Sequence, residues 1–151
     1  MSTKACIIIK ISDKDKGQTK RFDASKLPVE LKEWTEWGNE VDIEKSKPIK
    51  LGDDYMGIYV HWDGDNVINV LNEKFNNYDS ALNLVLGGFC SFIEDSGIRH
   101  YANRKGEEWK YIKPIKGRCI GTVIHKIGQS YNWYFNGEKW FELDHYIIIR
   151  R

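Results

Sequence analysis

Cysteine is scarce in this 151-residue chain, and Cys6, Cys90 and Cys119 are widely spaced, with no CxxC pair. An odd, dispersed set is neither a disulfide framework nor a zinc signature. Reduced thiols are expected, two or more of them buried as small hydrophobes. Cys90, which follows Gly87, Gly88 and Phe89, is the one best placed for catalysis. Surplus charge is also missing: 23 basic residues against 22 acidic ones leave a formal net charge of +1. That excludes a histone-like or polyanion-coating protein, whose affinity needs a large excess of Lys and Arg. The longest apolar runs cover only residues 5–9 and 146–149, far short of the roughly 20 that span a bilayer. Lys10 and Lys14 bracket the only stretch that resembles a signal peptide. A cytosolic protein with no membrane partner is expected. There is no P-loop, no GxGxxG after a strand, no HExxH and no Gly-x-Ser-x-Gly. His61, His100, His125 and His145 are far apart, and Asp53, Asp54, Asp63 and Asp65 lack the order of a calcium loop. No metal and no cofactor is expected, and an active site would have to be assembled across the fold.

Aromatic residues, by contrast, are abundant: 13 % of the chain, with six Trp and eight Tyr. Such rings either fill the core of a small sheet or form a stacking surface for a ligand ring or nucleobase. With 41 % hydrophobic and 30 % charged residues the chain has the composition of a folded domain. Residues 4–11 read as a strand and 12–19 as a loop, with Arg21–Phe22 as a possible return strand. Residues 28–37 read as a helix, with Leu31, Trp34 and Trp37 on one face. Residues 48–51 and 55–62 read as strands. Residues 66–75 read as a helix capped by Asp63 or Asp65, and 79–86 as another capped by Asp79 or Ser80 and ended by Gly87–Gly88. Residues 89–97 read as irregular or a short strand. Beyond Gly97 the pattern is β: residues 109–115, 119–126, 130–135, 138–143 and 145–150 all read as strands. Asn136–Gly137 between two aromatic strands predicts a type I′ hairpin. With no repeat or linker, the expectation is one α+β domain over residues 1–151: an N-terminal strand, two to three short helices and a C-terminal antiparallel meander.

Two constellations could carry chemistry. Tyr59, His61, Asp63 and Gly64 lie where a strand gives way to a helix, whose first N–H groups attract anions. Alternation predicts Tyr59, His61 and Asp63 on one face and Val60 and Trp62 on the other. A His beside an Asp can be oriented by it or share a metal with it; Asp63–Gly64 also fits an ordinary turn and cap. The second constellation is Arg99, His100, Tyr101, Asn103 and Arg104. Residues 99–118 carry seven Lys or Arg and two Glu, a net of +5. Arg forks bind phosphate, Asn reads a base or ribose edge, and rings stack. The same stretch also fits a solvated hairpin pairing with residues 30–44, where six acids and one Lys give −5.

The block Tyr59-Val60-His61-Trp62-Asp63-Gly64, a following helix, then Leu86-Gly87-Gly88 with Ser91, and an aromatic strand pair near the C-terminus resemble a family of small phage and prophage proteins. The resemblance covers roughly residues 48–142. The chain departs from the family's pattern at Asp65–Asn66, where Tyr-Pro is usual. No activity or residue role comes with the family. The resemblance implies a setting in which small accessory proteins antagonise host defence, some as sponges that bind a nucleotide signal without cleaving it.

Three readings follow. The first is a non-enzymatic binder of a phosphorylated nucleotide-like small molecule. It would use Tyr59, His61, Asp63 and Gly64 on one side, and Arg99, His100, Tyr101, Asn103 and Arg104 on the other. Sponges often place sites between subunits, so a homo-oligomer belongs to this reading. The second is an inhibitor of a host defence protein, acting through the acidic segment with Trp34 and Trp37. The third is a nucleotide phosphodiesterase using His61 and His100, with Asp63 completing a trio of acid, base or metal ligands.

Overall fold

The computed structural model describes residues 3–31, 48–100, 112–128 and 131–143. At its centre is β1 (Ala5–Lys10). Its run Ala-Cys-Ile-Ile-Ile is buried without alternation, as expected of a strand covered on both faces. On one side it pairs antiparallel with β4 (Tyr55–Val60), Ala5 opposite Val60 and Lys10 opposite Tyr55. On the other it pairs parallel with β8 (Tyr131–Phe135), Ala5 opposite Tyr131. β8 continues antiparallel into β9 (Trp140–Glu142). The far edge of β4 is divided. β7 (Ile115–Gly117) pairs antiparallel with Tyr55–Gly57, and β5 (Cys90–Glu94) pairs parallel with Val60. β6 (Gly97–His100) closes that side. A separate short pair joins β2 (Thr19–Lys20) to β3 (Ile49–Lys50).

Both faces of the sheet are clothed by the connections between parallel strands. β4 reaches β5 through α1 (Val67–Lys74) and α2 (Tyr78–Leu86), whose apolar sides pack with Ile7, Ile9, Ile58 and Val60. β7 reaches β8 through α3 (Ile120–Ile127), which packs with Cys6 and Ile8 on the opposite face. Gly57 is the contact point, since a Cβ there would lie 2.6 Å from Val123 Cγ1. Two indole N–H groups tie the sheet to the first crossover: Trp133 donates to the Gly64 carbonyl and Trp140 to that of Phe75, both at 2.8 Å. The result is a single α+β domain with a mixed sheet.

Several local expectations need correction. Residues 119–126 were expected as a strand because they are β-branched. Ile120, Val123, Ile124 and Ile127 recur at three- and four-residue spacing, however, and form α3. Gly128, at φ 64°, closes that helix with its N–H on the Ile124 carbonyl at 2.6 Å. The strands after Gly97 therefore do not run as one meander: β7 joins β4, and β8 joins β1. α1 is preceded by Asn66, with no side-chain cap, rather than capped by Asp63 or Asp65. α2 is capped by Asn77, which accepts from Ser80 N at 2.9 Å, rather than by Asp79 or Ser80. At the hairpin, Gly137 has φ 106° while Asn136 does not take positive φ. Asn136 Oδ1 instead accepts from the N–H groups of Glu138 and Lys139. This is an Asx-stabilised four-residue loop rather than a type I′ turn.

Near Pro28 the chain is irregular. The turn of 3₁₀ helix lies earlier, at Ala24–Lys26, and Leu31 bridges to Ile98. The short strand β2 precedes Arg21, and Phe22 enters the core instead. The remainder of the predicted helix, the predicted strand over 145–150 and residues 109–111 of that over 109–115 lie outside the described residues; of the rest of that stretch only Ile115 is in a strand, at the start of β7.

Candidate functional site

Tyr59 and His61 alternate with Val60 at the end of β4, and Val60 is buried against the α1–α2 side. The two polar rings therefore emerge on the α3 side, as alternation predicts. Tyr59 Oη and His61 Nδ1 are 2.6 Å apart. Burial, then the positive charge of Lys4, hold the His61 imidazole below its usual pKa; burial raises that of the Tyr59 phenol. Both are thus neutral near pH 7. In the Nε2-protonated tautomer, the phenol donates to Nδ1 and Nε2–H remains a donor toward a ligand. Lys4 reaches this spot because the β1–β4 register, with Ala5 opposite Val60, places it opposite His61.

Trp62 departs from the predicted alternation. Its indole meets the His61 ring edge-on, centroids 4.7 Å apart, and it is 46 % exposed. β4 ends at Val60, and the chain turns at Asp63, a non-glycine residue at φ 55°. Phe89 adds a further ring 5.8 Å from Tyr59. On β5 and β6, Ile93 and Ile98 point into the α1–α2 core, so Phe92 and Arg99 face the other way. The Arg99 guanidinium lies over Phe92 at 5.2 Å. Tyr59, His61 and Arg99 thus share one sheet face, on strands that are two spacings, roughly 10 Å, apart.

The other predicted residues lie elsewhere. Asp63 borders a groove of about 430 Å³ with Asn66, Asn69, Glu94 and Asp95, whose carboxylates disfavour an anion. Gly64 is a packing residue: a Cβ would stand 2.7 Å from the Lys4 carbonyl carbon. The N–H groups expected to hold an anion are engaged within the chain. Gly64 donates to Thr3 O, Asp65 to Thr3 Oγ1 and Asn66 to Asp63 O. His100 belongs to the core, 1 % exposed, on the face opposite His61. Its Nε2 bonds the Leu84 carbonyl at 3.2 Å, and its ring packs edge-on against Phe22. No one substrate atom meets both His61 and His100. Cys90 is fully buried and its thiol is pushed well up by burial, which leaves it inert as a nucleophile. Tyr101, Asn103 and Arg104 lie outside the described residues, as do Trp34 and Trp37.

Sequence reasoning missed Lys4, Phe89, Phe92 and the position of Trp62. Strand register places Lys4 and Phe92, and no local pattern encodes it; Phe89 sits in the bend just before β5. The irregular end of β4 places Trp62. Comparison with family models, with curated proteins and with solved structures finds no match to this chain.

Proposed function

We propose that the protein binds a phosphorylated, ring-bearing, nucleotide-like small molecule on the Tyr59–His61–Trp62 face and sequesters it without cleaving it. The observation that carries this reading is the half-exposed indole of Trp62 against a neutral His61, with Lys4 opposite. An exposed indole offers a stacking surface, Nε2–H a donor, and Lys4 and Arg99 the positive charge for phosphate. Sequestration is favoured over cleavage because the hydrogen-bond partner of His61 is a phenol, whose pKa burial raises, rather than a carboxylate that would orient the imidazole and stabilise its charged form. In a phage-encoded setting such a module would act as a sponge against a nucleotide defence signal.

The test is a tryptophan-fluorescence titration against nucleotides, cyclic dinucleotides and ADP-ribose derivatives, followed by chromatography of each mixture. One compound is expected to bind and to be recovered intact. Trp62→Ala should weaken it by about 5- to 150-fold, the equivalent of about 1–3 kcal/mol of stacking. A product peak, or no binding across the panel, would overturn the reading. The inhibitor alternative predicts instead that Trp37→Ala abolishes capture of a host protein while Trp62→Ala does not.

A further inference from the structure

A second cavity lies at the opposite end of the sheet. β1 and β8 run parallel and adjacent, and beyond their carboxyl ends the chain leaves in opposite directions. The ladder of β1 with β4 runs one step further, Ile11 N–H on the Asp54 carbonyl at 2.8 Å, and the chain then pairs Gly17 and Gln18 with Leu51, just ahead of β4; after β8 it folds through Asn136 and Gly137 into β9. Connections that diverge from neighbouring parallel strands leave a crevice between them, the usual place for a ligand in open sheets with parallel strands. Here the crevice holds about 420 Å³, within the size range of small-molecule pockets. Residues 10–14 line one side and Asn136–Gly137 another, with Tyr78, the first residue of α2, between them.

The chemistry of the lining is specific. The Tyr78 ring is held as a wall because its Oη accepts from Ser12 N–H at 3.0 Å. Lys14 Nζ stands 6.0 Å from the ring centroid. Lys16 is shared by the neighbouring carboxylates Asp13 and Asp54, at 3.2 and 2.6 Å, so with Lys10 and Lys14 the three lysines here exceed these two carboxylates by one. The Asn136 carbonyl oxygen is engaged in its own loop, leaving the amide NH₂ to donate. We propose that this crevice is a separate ligand site for a phosphate monoester that carries a planar ring. The ring lies against Tyr78, the phosphate lies between Lys10 and Lys14, and Asn136 donates to the ligand's polar edge. The assignment does not rest on the Trp62 face.

The probe is adenosine monophosphate, titrated into the full chain and followed by amide NMR, with inorganic phosphate in parallel. Saturable shifts are expected at Ser12, Lys14, Tyr78 and Gly137. Affinity should fall about tenfold or more in the Lys10→Gln/Lys14→Gln double variant, whose side chains are peripheral to the core, and stay unchanged in Trp62→Ala. Phosphate alone should bind more weakly than the nucleotide. Shifts confined to the His61–Trp62 face, equal binding of phosphate and nucleotide, or an unaffected double variant would each overturn the assignment. So would an absence of saturation up to about 10 mM.

Discussion

His100 is buried between Phe22 and α2, and burial pushes its imidazole down to about 4. The unfolded chain takes up this proton near pH 6.5, whereas the folded chain resists it until about pH 4. Stability from this residue is therefore complete above pH 6.5 and is lost as pH falls toward 4, by about 3 kcal/mol in all. Urea midpoints measured from pH 7 to pH 4 should fall more steeply for the wild type than for His100→Phe, which has nothing to titrate there. Gly87 packs directly on this ring. Its φ of −69° suits alanine, but a Cβ would stand 2.2 Å from His100 Nε2. Gly87→Ala should therefore destabilise by about 1–3 kcal/mol in chemical denaturation, although the backbone there favours the change. At the ring face, Lys4→Met removes the charge that, after burial, depresses His61. An NMR titration should show the His61 pKa rise in that variant.

The position of α3 on the sheet depends on one missing side chain. Gly57 on β4 lets Val123 approach, and an added Cβ would also lie 3.3 Å from Ile8 Cγ1. Gly57→Ala should destabilise by about 1–3 kcal/mol, because α3 must lift from β4 or the strands must shift. Val123→Ala should destabilise on its own by opening a cavity. In the double variant the new methyl partly fills that cavity, so the combined loss should be smaller than the sum. A double-mutant cycle in urea measures the coupling. α3 also shows how a helix is misread: its β-branched residues suggest a strand, while their spacing specifies a helix. Burial of one apolar stripe against Cys6 and Ile8 outweighs the modest propensity penalty of Val and Ile.

At the scale of the whole molecule, β1 is the shared element. It contacts α2 and α3 on its two faces and β4 and β8 along its two edges. Loss of either crossover exposes β1, so the two layers should unfold together. Thermal unfolding followed by far-ultraviolet circular dichroism and by tryptophan fluorescence should give coincident transitions; separated ones would show that a layer melts independently. The two proposed ligand regions sit at opposite ends of this strand. His61 faces Lys4 at one end, and the Tyr78 crevice opens beyond Lys10 at the other.

Local pattern was enough for the α+β class, the strands around β1, β4, β8 and β9, the helices α1 and α2, and the shared face of Tyr59 and His61. Each of these depends on alternation, helical spacing or turn residues within a short window, where neighbouring side chains decide the conformation. The partners of those elements lie beyond such a window. His100 and Arg99 are adjacent in sequence, yet the pleat sends one into the core and the other to the opposite face. Lys4 meets His61 only because β1 and β4 pair in one register, and Tyr78 meets Ser12 only because α2 crosses the end of β1. A slip of one residue in pairing would turn each side chain to the opposite face. Burial of the apolar set on both sides of β1 selects the register, and so decides which polar groups share a site.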